Sequence, residues 1–246
     1  MFVSAPLDTL LTTSSGMFEG DQDEDMAAEI GFQISGENPS EEFAWVYFFT
    51  TGYPDEKHPD IDAAAVCEKL DSGLGEKLFN QYRETENTSG GSLFEEGRLY
   101  LVIILAAMMM RCGAKIREED RQHLREIFPA IPSREGYMWS LCDNGFRGPG
   151  KRQFLAALDH YQTGTPRSFS HASCFACGKT NTDLASPLLR CGGCDGPAWF
   201  CDKVRLAGYG WKWQLANIFV AQECQRAYWK HHKKMCGPRK SMMLNV

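Results

Sequence analysis

The sequence predicts a mainly α-helical chain that ends in a small, cysteine-rich domain. Three observations support this fold class. Apolar residues recur at helical spacing from residue 61 to residue 162. Within that region, residues 99–110 form an unbroken apolar run. Seven of the ten cysteines lie after residue 170, between Cys174 and Cys236. We call residues 174–236 the cysteine-rich domain.

The helical domain is expected over residues 43–163. Its helices are predicted at 61–69, 76–82, 93–111, 117–128 and 151–162. Ser92 and Glu95 have the spacing of a capping box at the start of the longest helix, and Gly113 fits its C-terminal cap. The apolar run 99–110 is too short to cross a bilayer, which needs roughly 20 residues. We therefore expect a buried core helix and no membrane partner.

Charge is distributed unevenly along the chain, whose net charge is -6. No Lys or Arg precedes Lys57, although twelve acidic residues do. Residues 1–42 are accordingly expected to be disordered or loosely looped. Residues 164–173 resemble a linker in composition, and residues 237–246 form a basic tail.

The first 15 residues lack the basic region of a secretory signal peptide and include Asp8. Cys67, Cys112 and Cys142 are scattered among apolar neighbours, as buried free thiols are. These features predict an intracellular protein, either nuclear or cytoplasmic.

The helical domain contains no catalytic signature that we can identify. His58, His123 and His160 are isolated from other candidate catalytic residues. The acidic groups Glu95–Glu96 and Glu118–Asp120 lie early in predicted helices, where the helix dipole favours negative charge. We therefore predict that the chain is not an enzyme.

The cysteine-rich domain has the spacing of a zinc-binding region. Two Cys-x2-Cys pairs are followed by three more cysteines and a histidine, which gives eight soft ligands. The candidate ligands are Cys174, Cys177, Cys191, Cys194, Cys201, Cys224, His232 and Cys236. Eight ligands suffice for two closed tetrahedral zinc sites. The alternative, a disulfide framework, would require an oxidising compartment.

The cysteine-rich domain is similar to a MYND-type zinc finger in the type, order and spacing of these residues. The matching features include Phe200-Cys201 and the segment from Cys224-Gln225 through Trp229 to Cys236. The resemblance implies a finger of short β hairpins with a C-terminal helix. It also implies two interleaved zinc ions. One would be held by Cys174, Cys177, Cys201 and Cys224, and the other by Cys191, Cys194, His232 and Cys236.

His231 is an alternative ligand to its neighbour, but the family gap of three residues before the last cysteine selects His232. In the family the finger binds short, proline-containing peptides of partner proteins. The matching positions are Gln225 and Trp229, which are four residues apart on one predicted helix. The resemblance thus implies a protein-interaction module, with transcriptional regulation as one setting.

Two other functions remain open from the sequence. MYND-type fingers also occur in protein-lysine methyltransferases, although no cofactor-binding motif of that class is evident. The basic residues near the C-terminal end could instead contact DNA phosphates. These residues are Lys230, Lys233, Lys234, Arg239 and Lys240.

One segment departs from the family pattern. The family places three residues between the fifth and sixth cysteines, whereas 22 separate Cys201 from Cys224. Removing Val204–Gln222 restores the family spacing. Codons for Val-Arg at its start and Gln at its end can form splice-donor and splice-acceptor sequences. We hypothesise that this segment is a retained intron translated in frame; a genuine insertion loop is the alternative.

Overall fold

The computed structural model describes residues 16–18, 21–36, 63–86, 95–134, 145–147, 149–191, 198–201 and 223–233. The helices within these ranges are α1 Asp21–Ser35, α2 Ala63–Lys69, α3 Gly75–Glu86, α4 Glu95–Cys112, α5 Glu118–Ile127, α6 Gly150–His160 and α7 Glu223–His232. The strands are β1 Ser133–Arg134, β2 Phe146–Arg147, β3 Leu189–Arg190 and β4 Trp199–Phe200. The protein is therefore mainly helical, as predicted.

Helix α4 forms the centre of the helical body, by which we mean α1 to α6. A helix that is apolar on every side is stable only when it is covered on every side. Residues from Val102 to Met110 are accordingly at most 1% exposed. Helices α1, α2, α3, α5 and α6 all contact α4. The predicted core helix is confirmed, and no helix in the described residues has both the length and the apolarity to cross a membrane.

Helix α1 corrects the prediction that residues 1–42 are disordered. Ala27, Ile30 and Ile34 recur at helical spacing, and each is fully buried in the core. The Asp23 carboxylate accepts hydrogen bonds from the Tyr100 hydroxyl at 2.8 Å and from the Phe18 amide at 3.0 Å. The acidic composition of this segment thus concealed an apolar helix face. Residues 1–15, 19–20 and 37–42 lie outside the described residues.

The other helices lie close to their predicted positions. Residues Leu70–Leu74 join α2 to α3 through a kink at Gly73, whose φ of 113° is not helical. The proposed cap residue Ser92 lies outside the described residues. Gly113 ends α4 at a φ of 85°, and its amide donates to the Met110 carbonyl at 3.2 Å. The predicted C-terminal cap therefore agrees with the structure.

The segment 164–173 is packed against the helical body, which corrects its interpretation as a linker. The Gly164 amide donates to the Gly113 carbonyl at 2.8 Å, and the Arg167 amide donates to the Met110 carbonyl at 2.9 Å. Phe169 is buried in the core, where its ring meets that of Phe18 at 5.7 Å. The chain therefore enters the cysteine-rich domain along the surface of the helical body.

Candidate metal centre

The first Cys-x2-Cys pair lies in a tight turn. The Gly178 amide donates to the Cys174 carbonyl at 2.7 Å, and the Cys174 amide donates to the Lys179 carbonyl at 2.8 Å. Gly178 closes this turn at a φ of 76°, a conformation that glycine adopts without steric cost. The turn brings the thiols of Cys174 and Cys177 to the same side of the backbone.

A two-stranded hairpin brings the next cysteines to this turn. Strands β3 and β4 are antiparallel, with Leu189 opposite Phe200. The Phe175 amide donates to the Trp199 carbonyl at 2.8 Å, which fixes the hairpin beside the turn. Cys201 follows β4 directly and Cys191 follows β3 directly. The hairpin therefore places Cys201 at the end of one strand and Cys191 at the end of the other.

Helix α7 supplies Cys224 and His232. Cys224, Tyr228 and His232 are four residues apart, so they lie on one face of the helix. All three are buried, at 6%, 5% and 2% exposure. This face packs onto the hairpin and the first turn, where the Phe175 ring meets the Tyr228 ring at 6.4 Å.

Four sulfur atoms converge in the first cluster. The Sγ atoms of Cys174, Cys177, Cys201 and Cys224 all lie within 4.8 Å of one another. The Cys177–Cys201 and Cys201–Cys224 sulfur pairs are 3.5 Å and 3.3 Å apart. Sulfurs about 2.3 Å from a tetrahedral zinc are about 3.8 Å from each other, whereas disulfide sulfurs are about 2.05 Å apart. The cluster thus fits a metal ion and contains no disulfide.

The crowding of these thiols perturbs their acidity. Hydrogen bonds from Cys177, Cys201 and Cys224 hold the pKa of Cys174 far below its usual value. The hydrogen bond with Cys174 raises the pKa of Cys177, but those with Cys201 and Cys224 lower it more, to about 7. The pKa values of Cys201 and Cys224 are raised, chiefly by hydrogen bonding to Cys174. The four groups therefore share protons, and a bound cation would replace those protons.

The second predicted ligand set is described in part. The His232 Nε2 atom lies 3.3 Å from the Cys191 Sγ atom, and both residues are buried. Burial lowers the pKa of His232, which favours the neutral imidazole that metals bind. Cys194 and Cys236 lie outside the described residues. The alternative residue, His231, is exposed, and its ring stacks on Tyr228 at 5.3 Å.

The two predicted peptide-binding residues differ in environment. Trp229 is 44% exposed, and the buried part of its ring packs against His232 at 5.8 Å. Gln225 is half-buried, and its Nε2 atom donates to the Cys191 Sγ atom at 3.7 Å. Trp229 is thus available at the surface, whereas Gln225 also supports the Cys191 thiol.

Sequence reasoning missed an ion pair that joins the cysteine-rich domain to the segment before it. Both carboxylate oxygens of Asp183 accept hydrogen bonds from the Arg167 guanidinium. The same carboxylate accepts hydrogen bonds from the Thr180 amide at 2.9 Å and the Thr180 hydroxyl at 3.1 Å. The three-residue spacing of Thr180 and Asp183 is that of a capping box and was a usable signal. Nothing in the sequence pointed to Arg167.

A second contact joins the cysteine-rich domain to α6. The Arg152 Nε atom donates to the Phe175 carbonyl at 2.8 Å, and its guanidinium lies 4.4 Å from the centre of the Tyr228 ring. A Cβ atom on Gly178 would lie only 1.9 Å from the Arg152 carbonyl oxygen. The first turn of the domain therefore lies directly on the α6 backbone.

Comparison of the chain with family models, with curated proteins and with solved structures gave no match. The likeness of the cysteine-rich domain to a MYND-type finger therefore depends on the residues quoted above. The geometry supports a candidate metal site at the four-cysteine cluster.

Proposed function

We propose that this protein is a zinc-binding interaction module, in which a MYND-type finger is packed on a helical body. The observation that supports this most strongly is the convergence of four cysteine sulfurs within 4.8 Å. These cysteines come from three separate segments of the chain, and three of the four are buried. Such a cluster has the donor chemistry of a structural zinc site.

A second zinc ion would be held by Cys191, Cys194, His232 and Cys236. The 3.3 Å approach of His232 to Cys191 supports this ligand pair. Two sites with four protein ligands each would leave no open position for water or substrate. We therefore propose structural roles for both ions and no enzymatic activity.

Trp229 is the proposed contact for a proline-containing segment of a partner protein. Proline-rich segments bind to exposed aromatic surfaces, and Trp229 is 44% exposed. Gln225, four residues earlier, would contribute at the edge of the same surface. Regulation of transcription is one setting in which such docking would act.

Native mass spectrometry of the full chain tests the metal assignment. We expect two zinc ions per chain, and one after Cys201→Ser, because one cluster would lose a ligand. Cys67→Ser is the matched control and should retain two ions, since Cys67 lies in α2, within the helical body. A chain without zinc, or a Cys201→Ser variant that still binds two ions, would contradict the proposal.

Titration of the zinc-loaded chain with a proline-containing peptide tests the docking surface. Trp229→Ala should weaken binding while zinc content and circular dichroism stay unchanged. Phe32→Ala is the control, because Phe32 is also exposed (52%) but lies on α1. Equal binding by the Trp229 variant would refute the assignment. Methyl transfer from labelled S-adenosylmethionine to a protein substrate would refute the absence of enzymatic activity.

A further inference from the structure

The outward face of α7 has a concentration of positive charge. Arg226, Lys230 and Lys233 are all exposed, and we call these three residues the basic stripe. Because an α-helix has 3.6 residues per turn, they lie within an arc of about 60°. This arc is opposite the face formed by Cys224 and His232, which is buried. The basic stripe therefore faces away from the candidate metal sites.

The helix dipole does not account for this clustering. Cations are favoured in the last turn of a helix, where Lys230 lies, but Arg226 is in the first turn, where they are disfavoured. Arg226 and Lys230 are also four residues apart, so their like charges repel each other. An acidic ligand on this face would be attracted by the charges of the basic stripe.

An apolar surface borders the basic stripe. Trp229 lies at its edge on the same helix and is 44% exposed. Leu189, 48% exposed, is paired with Phe200, whose ring packs on His232 at 5.5 Å. His232 in turn contacts the Trp229 ring. The exposed ring of Trp229 thus lies beside the exposed cations of the basic stripe.

We propose that the basic stripe and Trp229 together bind an acidic peptide segment of a partner protein. Carboxylates of the segment pair with Arg226, Lys230 and Lys233, while a neighbouring proline or other apolar residue packs on Trp229. This inference rests on the proposed peptide docking and adds the charge of the partner. Interfaces of this kind place complementary charge around an apolar contact.

An acidic peptide fits this surface better than a nucleic acid does. Proteins that bind duplex DNA commonly neutralise about six to ten phosphates. The basic stripe offers three cations, and Lys234, Arg239 and Lys240 bring the number near this end of the chain to six, the low end of that range. The chain as a whole has a net charge of -6, which repels a long polyanion. A short acidic segment needs only the local charges. The structure therefore favours a protein ligand.

The experiment compares two labelled peptides by fluorescence anisotropy with the full, zinc-loaded chain. Both have the same proline-containing core, but one has flanking Asp and Glu residues and the other has Asn and Gln. We expect the acidic peptide to bind about tenfold more tightly at low salt, as a few exposed ion pairs allow. This advantage should shrink as ionic strength rises and screens the charges.

Charge reversal identifies the residues. The double variant Lys230→Glu and Lys233→Glu should lose the preference for the acidic peptide but still bind the neutral one. Lys115→Glu is the control, since Lys115 is exposed on the helical body and should change neither affinity. Zinc content and circular dichroism verify that each variant is folded. The salt dependence of acidic-peptide binding tests the charge preference on the unaltered chain alone.

The outcomes separate this inference from the proposed function. Equal affinity for both peptides would overturn the charge preference and leave peptide docking intact. Failure to bind either peptide would overturn both. Tighter binding of single-stranded or duplex DNA than of the acidic peptide would overturn the choice of a protein ligand.

Discussion

Asp183 connects the candidate metal centre to the rest of the chain through a single carboxylate. It is ion-paired with Arg167, whose own amide is bonded to the end of α4. It also accepts a hydrogen bond from the Thr180 amide, just beyond the first cysteine-containing turn. Burial alone would raise the pKa of Asp183, but the hydrogen bonds from Arg167 and Thr180 lower it below its usual value.

Asp183→Asn should lower the free energy of unfolding by about 2 kcal/mol at pH 7, because a buried, charge-assisted pair is lost. Because the pKa of Asp183 is lower in the folded chain, its contribution is complete above the unfolded pKa of about 3.9 and is lost as pH falls through the folded pKa. Denaturant titrations should therefore give the same difference in the free energy of unfolding between the unaltered chain and Asp183→Asn from pH 8 to pH 5.

Asp159→Asn provides the control, since Asp159 is 51% exposed and lies 3.5 Å from Arg125 in a surface pair. We expect a change of at most about 0.5 kcal/mol. A variant at Asp183 that is as stable as this control would show that the Arg167 pair contributes little.

At the scale of residues, the sequence predicted rare chemical types well and common ones poorly. Two cysteines separated by two residues have the usual spacing of ligands to one metal ion. Cys174 and Cys177 were therefore readily identified as candidate ligands. Arg167 and Asp183 are 16 residues apart and of ordinary types. Their pairing depends on how the cysteine-rich domain packs against the helical body. The spacing of residues along the sequence does not predict that packing.

The first turn of the cysteine-rich domain is in close contact with α6. Gly178→Ala should disrupt this contact, because its Cβ atom would lie 1.9 Å from the Arg152 carbonyl oxygen and its φ is 76°. We expect a loss of more than about 2 kcal/mol in the free energy of unfolding, since backbone strain and overpacking add. Denaturant unfolding measures it.

Gly164→Ala is the matched control. Gly164 has a similar φ of 82°, but no atom lies within 4 Å of the position that an added methyl group would occupy. It therefore bears only the backbone strain of about 1 kcal/mol or more. Equal losses at Gly164 and Gly178 would indicate that the contact with α6 is not tight.

The segment Val204–Gln222 lies outside the described residues, but the residues that flank it constrain its role. The Cys201 and Cys224 sulfurs are 3.3 Å apart, so their Cα atoms are at most roughly 9 Å apart given standard bond lengths. The three residues left after its removal can span about 13 Å. A chain without this segment can therefore close the four-cysteine cluster.

Deleting Val204–Gln222 should leave the zinc stoichiometry unchanged and raise the zinc affinity, because a shorter loop costs less entropy to close. The change from 22 to three residues contributes about 1.8 kcal/mol by loop-closure scaling. Competition with a chelator measures it. Weaker zinc binding after the deletion would mean that the segment belongs to the folded domain, and transcripts that always retain its codons would refute the intron hypothesis.

Among the elements, α4 was predictable and α1 was not, for one physical reason. The run in α4 is apolar at every position, so any helical register buries it. In α1 the apolar residues Ala27, Ile30 and Ile34 occupy a single face, amid a composition that suggests disorder. Only packing against α4 reveals that this face has a partner.

At the scale of the whole molecule, the cysteine-rich domain is packed on the helical body and is not tethered to it by a free linker. Arg152, Arg167 and Phe169 connect the two parts, and Phe169 lies in the core of the helical body. The stability of one part should therefore depend on the other. The linker-like composition of residues 164–173 did not reveal these contacts.

Removal of zinc by a chelator should lower the melting temperature of the helical circular dichroism signal, because metal binding stabilises only the folded state. Returning zinc should restore it. In a variant with both Arg152→Ala and Arg167→Ala, zinc should still bind, but chelation should no longer alter helical melting. An unchanged melting temperature in the unaltered chain would mean that the two parts unfold independently.

Cys201 and Cys224 are close in space, with sulfur atoms 3.3 Å apart. The position between them is therefore suited to the insertion of another protein. A reporter whose own termini are close together could be grafted in place of Val204–Gln222 without stretching the sulfur cluster. In the proposed zinc site Cys201 and Cys224 share an ion, and loss of that ion would allow the two attachment points to separate. A fluorescent graft at this position would therefore signal the metal status of the protein in living cells.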